Sequence, residues 1–97
     1  HITIIMKKIK VTENSVIHYN SEKEMATIIK LNDDLFLYEA ELVAGELINI
    51  VQEGEIELDS LIQQLVNTYP DKYSDEIRKK SKDLVEELIN KEILEYF

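Results

Sequence analysis

Apolar and polar positions divide the chain into a first third that favours β-strands and a remainder that favours α-helices. Three short runs are rich in β-branched and aromatic residues and predict strands: 15–20, 25–31 and 35–38. The polar clusters between them contain Asn, Asp and Ser, whose side chains favour turns. Because both connections are short, we expect the runs to form an antiparallel meander. Residues 8–13 also admit an earlier strand.

After this region, apolar residues recur at the three- and four-residue spacing of amphipathic helices. The first helix is predicted to begin near Ala40 and to end at Gly54 in the left-handed conformation. Its buried stripe would be Ala40, Ala44, Leu47, Ile48 and Val51. The second helix is predicted over 58–68, before Pro70. The third should have Ser74 as its N-cap and end near Asn90, with a stripe of Ile77, Ser81, Leu84, Val85 and Leu88.

These elements predict an α+β fold that is winged helix-turn-helix-like, with a three-stranded antiparallel sheet followed by three helices. The length of 97 residues suits one domain, which we expect over 15–97. Residues 1–14 would be an N-terminal extension or an extra strand. Met6 resembles a natural start, so 1–5 are either a remnant or an upstream extension. The apolar run there is too short for a signal peptide or a membrane span.

The formal charge of −9 changes the range of partners. Proteins that bind duplex DNA gain affinity by neutralising phosphates with Lys and Arg, so we expect no nucleic-acid partner, and no membrane partner either. Cysteine is absent, which excludes disulfides and thiolate chemistry and suits a cytoplasmic location.

The sequence offers no motif for catalysis. His1 and His18 are the only histidines, no metal-ligand spacing occurs, and the glycines are too few for a phosphate loop. We therefore expect a protein that is not an enzyme and needs no cofactor or metal.

The order of elements, together with particular residues, resembles the PqqD family, the recognition elements of ribosomally synthesised and modified peptides. The segment from Val16 to Ile29 is similar to the family's first hairpin. The passage Leu35-Phe-Leu-Tyr-Glu-Ala40 and the apolar helix after it resemble the family's strand-to-helix passage. Three positions depart from the pattern: Tyr38 stands where Asn is common, Glu92 where Gly is common, and Gly45 where a large residue is common.

The resemblance implies a non-catalytic peptide-binding domain. Such domains capture the leader of a precursor peptide as an added strand beside the third strand and the third helix. They present it to a maturation enzyme, such as a radical SAM enzyme or a leader peptidase. The edge strand could also pair with itself, which would give a homodimer. The alternative function is that of a winged-helix regulator that binds DNA through the third helix.

Candidate peptide-binding residues lie on the third strand and the third helix, and follow from the resemblance: Asp33, Asp34, Leu35, Phe36, Leu37, Tyr38, Arg78, Ser81, Lys82 and Val85. Strand alternation puts Leu35 and Leu37 on one face and Phe36 and Tyr38 on the other. The leucines match the family's core positions, so Phe36 should face the groove or solvent, while the opposite arrangement stays open. Arg78 and Lys82 could hold acidic leader side chains, or could form a solvated face. Ser81 would either bond to a carbonyl one turn back or line the groove.

Overall fold

The computed structural model describes residues 7–31 and 35–97, and the side chain of Leu35 is not among the described atoms. The fold is α+β, with two small antiparallel sheets and three α-helices. The strands are β1 (Lys8–Val11), β2 (Ser15–Asn20), β3 (Met25–Leu31), β4 (Leu35–Glu41), β5 (Ile56–Glu57) and β6 (Leu94–Tyr96). The helices are α1 (Val43–Gln52), α2 (Leu58–Thr68) and α3 (Ser74–Asn90), with a short 3₁₀ turn at Asp71–Tyr73.

The predicted meander forms one sheet, in the order β2-β3-β4, which we call sheet B. Its first hairpin closes over residues 21–24, where the side-chain oxygen of Asn20 accepts hydrogen bonds from the backbone N–H groups of Glu22 and Lys23. This local bond stabilises the turn that the polar cluster predicted. The bounds of β2 and β3 match the prediction, whereas β4 continues three residues beyond Tyr38, to Glu41. The inner face of sheet B contributes Ala26, Ile28 and Ala40 to the core.

The second sheet, which we call sheet A, has the order β5-β1-β6. Its strands come from three distant parts of the chain, and β1 pairs with both neighbours, for example through Ile9 opposite Ile56 and Tyr96. The early strand is therefore confirmed. A sheet followed only by helices is not what the structure shows, because β5 interrupts the helices and β6 follows them. Both strands are very short and are stabilised by pairing with β1. Segments of two or three residues are too short to show an alternating pattern, so the sequence did not predict them.

The predicted helical stripes form the core, since every member is buried except Leu84 and Leu58, the first residue of the second stripe, which are half-buried. The bounds of α2 agree with the prediction, but α1 begins at Val43, because Ala40 is a buried residue of β4. Ser74 is the first residue of α3 and makes no capping hydrogen bond, since Tyr73 is the N-cap. Gly54 follows α1 with φ +152°, a conformation that other residues rarely adopt, although not the left-handed helical one predicted.

Gly45 lets α1 approach the backbone of sheet B closely. A Cβ atom there would lie 2.7 Å from the carbonyl oxygen of Glu24 and 2.8 Å from that of Ala40. Both oxygens belong to the backbone, so they cannot move aside as a flexible side chain would. A larger residue is therefore excluded, even though glycine costs about 1 kcal/mol of helix propensity relative to alanine.

The C-terminus of α3 connects the two sheets. The backbone N–H groups of Glu92 and Ile93 donate to the carbonyl oxygens of Ile89 and Leu88, which is the bonding pattern of a Schellman motif. Glu92 has φ +59°, the left-handed conformation for which glycine is preferred. Its carbonyl oxygen accepts hydrogen bonds from the buried ammonium group of Lys30 on β3 and from the hydroxyl of Thr12, which follows β1.

None of the helices in the described ranges is both long and apolar enough to span a membrane.

Candidate functional site

The outer edge of β4 is a feature of this fold that a peptide strand could use, and it is the edge at which the sequence predicted binding. β4 pairs with β3 along its whole length, from Leu35 opposite Leu31 to Glu41 opposite Met25. Within 7–31 and 35–97, no strand pairs with its other edge. An unpaired edge presents alternate backbone N–H and C=O groups, which can accept an added strand. At about 3.3 Å per residue, the seven residues of β4 offer an edge of about 20 Å.

Two aromatic side chains mark the inner side of this edge. The rings of Phe36 and Tyr38 are stacked, with centroids 6.5 Å apart and planes inclined by 10°. Tyr38 is half-buried, and Phe36 is 37% exposed. They share a face because residues two apart in a strand point to the same side. Together they form an apolar surface that remains accessible next to the unpaired backbone.

Tyr38 also connects this edge to the C-terminal part of α3. The ammonium nitrogen of Lys91 lies 5.5 Å from the centroid of the Tyr38 ring, within the range of a cation–π contact. Burial raises the pKa of Tyr38 above its ordinary value of 10.0, and the negative charge of the nearby Glu87 carboxylate raises this pKa further. The phenol therefore stays protonated at neutral pH, beside the Glu87 carboxylate.

The orientation of β4 corrects the expected one. Leu37 is 58% exposed and lies on the outer face of sheet B, so it is not a core residue. Ala40, near the end of β4, is buried. Because side chains alternate along a strand, Leu37, Glu39 and Glu41 then lie on the opposite, outer face. Leu37 continues an apolar row across the sheet, opposite Ile29, which in turn is opposite Val16.

The four candidate residues of α3 do not meet at this edge. Ser81 and Val85 are 0% and 1% exposed, so they belong to the core and line no open groove. Arg78 is exposed and donates a hydrogen bond to the side-chain oxygen of Gln63 on α2, at 3.1 Å. Lys82, one turn later on the same side, is also exposed. The part of α3 that reaches β4 is instead its C-terminal end, where Glu87 lies in the last turn and Lys91 is the C-cap.

The hydroxyl of Ser81 has no hydrogen-bond partner among the described residues, so the first of its two predicted alternatives, a bond to a carbonyl one turn back, is not formed. The candidates Asp33 and Asp34 lie outside the described residues. The same holds for the side chain of Leu35, whose backbone begins β4.

Sequence reasoning missed Glu87, Lys91 and the two carboxylates of β4. Glu87 and Lys91 are spaced i, i+4, which places them on one side of α3, but that spacing does not say which strand the side faces. Glu39 and Glu41 carried a clearer signal. Two acidic residues two apart, around a small apolar one, indicate the solvent face of a strand, and this signal was hidden by starting the helix at Ala40.

A concavity of about 470 Å³ lies between the two sheets, away from the β4 edge. Its lining includes Lys30 together with Glu13, Glu92 and Glu95. The ammonium group of Lys30 is already bonded to the Glu92 carbonyl oxygen, and it is surrounded by acidic residues. His18 lies exposed on the outer face of sheet B, opposite Thr27. Within the described ranges, no three His, Asp or Glu side chains converge as metal ligands would.

Comparison of the chain with protein-family models, with curated proteins and with solved structures found no match. The resemblance to PqqD therefore depends on the residues quoted in the sequence analysis alone.

Proposed function

We propose that this protein is a non-catalytic, cytoplasmic peptide-binding domain of the PqqD-like type. It captures the leader of a ribosomally synthesised precursor peptide as a strand added to β4. It then presents the peptide to a maturation enzyme, which by resemblance is a radical SAM enzyme or a leader peptidase. In this proposal sheet B and the three helices form the winged helix-turn-helix-like unit, and sheet A is an addition to it.

One observation carries the proposal: the outer edge of β4 is unpaired among the described residues and lies beside α3. An extended peptide gains adhesion there from main-chain hydrogen bonds, and gains selectivity from the side chains that flank the edge. Phe36 and Tyr38 supply apolar surface on one side, and Leu37 supplies it on the other. Holding the leader in this way raises the local concentration of substrate at the partner enzyme.

Titration of the isotope-labelled protein with candidate leader peptides tests this function. We expect amide signals of Phe36–Glu41 and of the last turns of α3 to shift, while those of β2, the opposite edge of sheet B, stay in place. The variant Tyr38→Ala should weaken binding, because it removes the surface between β4 and α3. Tyr73→Ala is a matched control, since Tyr73 is an exposed tyrosine of the 3₁₀ turn. If no peptide moves the β4 signals, the proposal is wrong.

The DNA-binding alternative has one observation in its favour, since Arg78, Lys79, Lys80 and Lys82 are all exposed on α3. The same helix exposes Asp75, Glu76, Asp83 and Glu86, and the chain carries −9 charges. These acids oppose the approach of phosphates, so we rank this function second. A gel shift that weakens steeply with added salt would support it, and the absence of any shift at low salt would exclude it.

A further inference from the structure

We infer that the peptide segment that pairs with β4 carries Lys or Arg at two alternate positions, opposite Glu39 and Glu41, and an apolar residue opposite Leu37. This inference depends on the proposed function, because it specifies the chemistry of the peptide that the same edge binds. It differs from the alternative in which Arg78 and Lys82 hold acidic side chains of the leader.

The outer side of the β4 edge carries three exposed side chains in a row. Leu37, Glu39 and Glu41 alternate along the strand, so they project from the same face of sheet B. On the β3 side, their direct neighbours are Ile29, Thr27 and Met25 respectively. Leu37 therefore has an apolar neighbour, whereas neither glutamate has a basic one.

The two carboxylates also lack a charged partner elsewhere. Between described residues, the one ion pair joins Lys10 and Glu95, at 3.4 Å, and these belong to sheet A. Glu39 and Glu41 thus lie unneutralised on the edge strand, where an added strand would place its own side chains. Directly opposed residues of paired strands have Cβ atoms about 5 Å apart, so each glutamate would meet one side chain of the peptide.

Charge complementarity decides which peptide fits. An acidic residue opposite Glu39 or Glu41 would be repelled, whereas Lys or Arg would neutralise the carboxylate. A second copy of this chain does not supply the missing charge, because Leu35–Glu41 contains no Lys or Arg. Pairing of β4 with itself would leave both glutamates without a cation and would bring together two chains of charge −9. A basic peptide is therefore the occupant that the edge favours.

The direction of pairing determines the order of the pattern. A peptide antiparallel to β4 would read basic-x-basic-x-apolar from its N-terminus, and a parallel one would read apolar-x-basic-x-basic. The intervening residues lie opposite Tyr38 and Ala40 and point to the inner side, where apolar or aromatic side chains would pack against Tyr38.

The test uses two capped synthetic peptides, Thr-Lys-Val-Lys-Val-Val-Thr and its reversed sequence, titrated into the labelled full chain. Their matched controls have the same composition with the two lysines adjacent, so that only one can face the glutamates. A further pair carries Glu in place of Lys. We expect the better alternating peptide to shift the amides of Phe36–Glu41 and to bind about tenfold more tightly than its adjacent-lysine control. Binding should weaken as salt is added, because exposed ion pairs are screened.

The double variant Glu39→Gln/Glu41→Gln should remove this preference, so that alternating and adjacent peptides bind alike. The variant Glu53→Gln/Glu55→Gln controls for the change in net charge, since both residues are exposed but lie in the loop after α1. It should keep the preference. Neither change touches the core, and circular dichroism would confirm the fold of each variant.

The outcomes separate the two proposals. If peptides bind at β4 but the acidic ones bind as well as the basic ones, the inference is wrong and the proposed function stands. If the alternating peptide binds no better than its control, the carboxylates act only through net charge, and the inference is also wrong. If no peptide reaches β4, both fail. Sedimentation that shows β4-dependent self-association, competed by no peptide, would assign the edge to a second copy and overturn both.

Discussion

Sheets A and B have the same number of strands, but a closed region of buried residues, typified by β1 of sheet A, contrasts with the open edge of sheet B at β4. In sheet A, β1 is the central strand and its Ile9 is completely buried. Leu94 of β6 is only 1% exposed. In sheet B, the edge strand β4 exposes Leu37 and two glutamates. The difference separates the residues that maintain the fold from those available to a partner.

The same division runs along α3. Ser81 and Val85 lie in the closed region, within the core that the helices share. Glu87 and Lys91 lie at the open region, beside Tyr38. Different sides of one helix therefore contribute residues to the two regions. After its end, the carbonyl oxygen of Glu92 accepts hydrogen bonds from Lys30 of sheet B and from Thr12, which follows β1 of sheet A. Substitutions in the closed region should therefore change stability, whereas substitutions at the open edge should change it little.

The largest effect is expected in sheet A. Ile9→Ala removes a completely buried side chain and should lower the free energy of unfolding by about 3 kcal/mol. Leu37→Ala, the matched change in sheet B, should cost less than about 1 kcal/mol, because Leu37 is exposed. Urea denaturation of both variants measures the contrast. Equal losses would mean that the two sheets are not divided in this way.

Gly45→Ala tests the close approach of α1 to sheet B. The added Cβ would meet two backbone oxygens within 3 Å, so we expect a loss of about 1–3 kcal/mol despite the better helix propensity of alanine. Gln52→Ala, an exposed position of the same helix, should change the stability by less than about 0.5 kcal/mol. A stabilised Gly45→Ala variant would show that α1 and the sheet can separate freely.

Ser81→Ala tests whether that position belongs to the closed region. Its hydroxyl is buried without a partner among the described residues, so its removal should raise the free energy of unfolding by about 1 kcal/mol. Peptide binding at β4 should not change. Ser60→Ala on the exposed side of α2 serves as the control, with an effect near zero. A loss of peptide affinity in Ser81→Ala would contradict this assignment and would show that Ser81 contributes to peptide binding.

Glu92→Gly tests the join between the two regions. Glycine adopts φ +59° without the steric cost that a Cβ carries, so we expect the variant to be more stable by about 0.5–1 kcal/mol. The bonds from Lys30 and Thr12 go to the backbone oxygen and are retained. Asn90→Gly, placed two residues earlier within α3, should instead destabilise by a few tenths of a kcal/mol. Thermal unfolding compares the two variants.

The smallest effect concerns Tyr38 at the open edge. Its pKa is raised in the folded protein by burial and by Glu87, so its contribution to stability is complete below the unfolded pKa, near 10.0. That contribution is lost as the pH rises through the folded pKa, because the unfolded chain releases the proton more easily. We expect the free energy of unfolding to fall above this pH, and to fall less steeply in Tyr38→Phe and in Glu87→Gln. Identical alkaline slopes would contradict the assignment.

The local pattern determined more of sheet B and of the helices than of sheet A. Turn residues and β-branched runs placed β2 and β3, and apolar spacing placed the stripes of all three helices, because both depend on neighbours along the chain. The acidic composition likewise disfavours a nucleic-acid partner, because phosphates are repelled by the net charge of −9. The predicted meander made β4 an edge strand, as the structure has it, but the pattern gave the wrong orientation for its two faces.

Only the tertiary structure decided the rest. Two residues at Ile56–Glu57 and three at Leu94–Tyr96 become strands because β1 lies between them, a long-range pairing that no window of sequence reveals. The burial of Ala40 sets which face of β4 is outside, and so exposes Leu37, Glu39 and Glu41. The packing of α3 sets which of its sides meets Tyr38. Periodicity shows that an element has two faces, but what each face meets depends on segments far away in the chain.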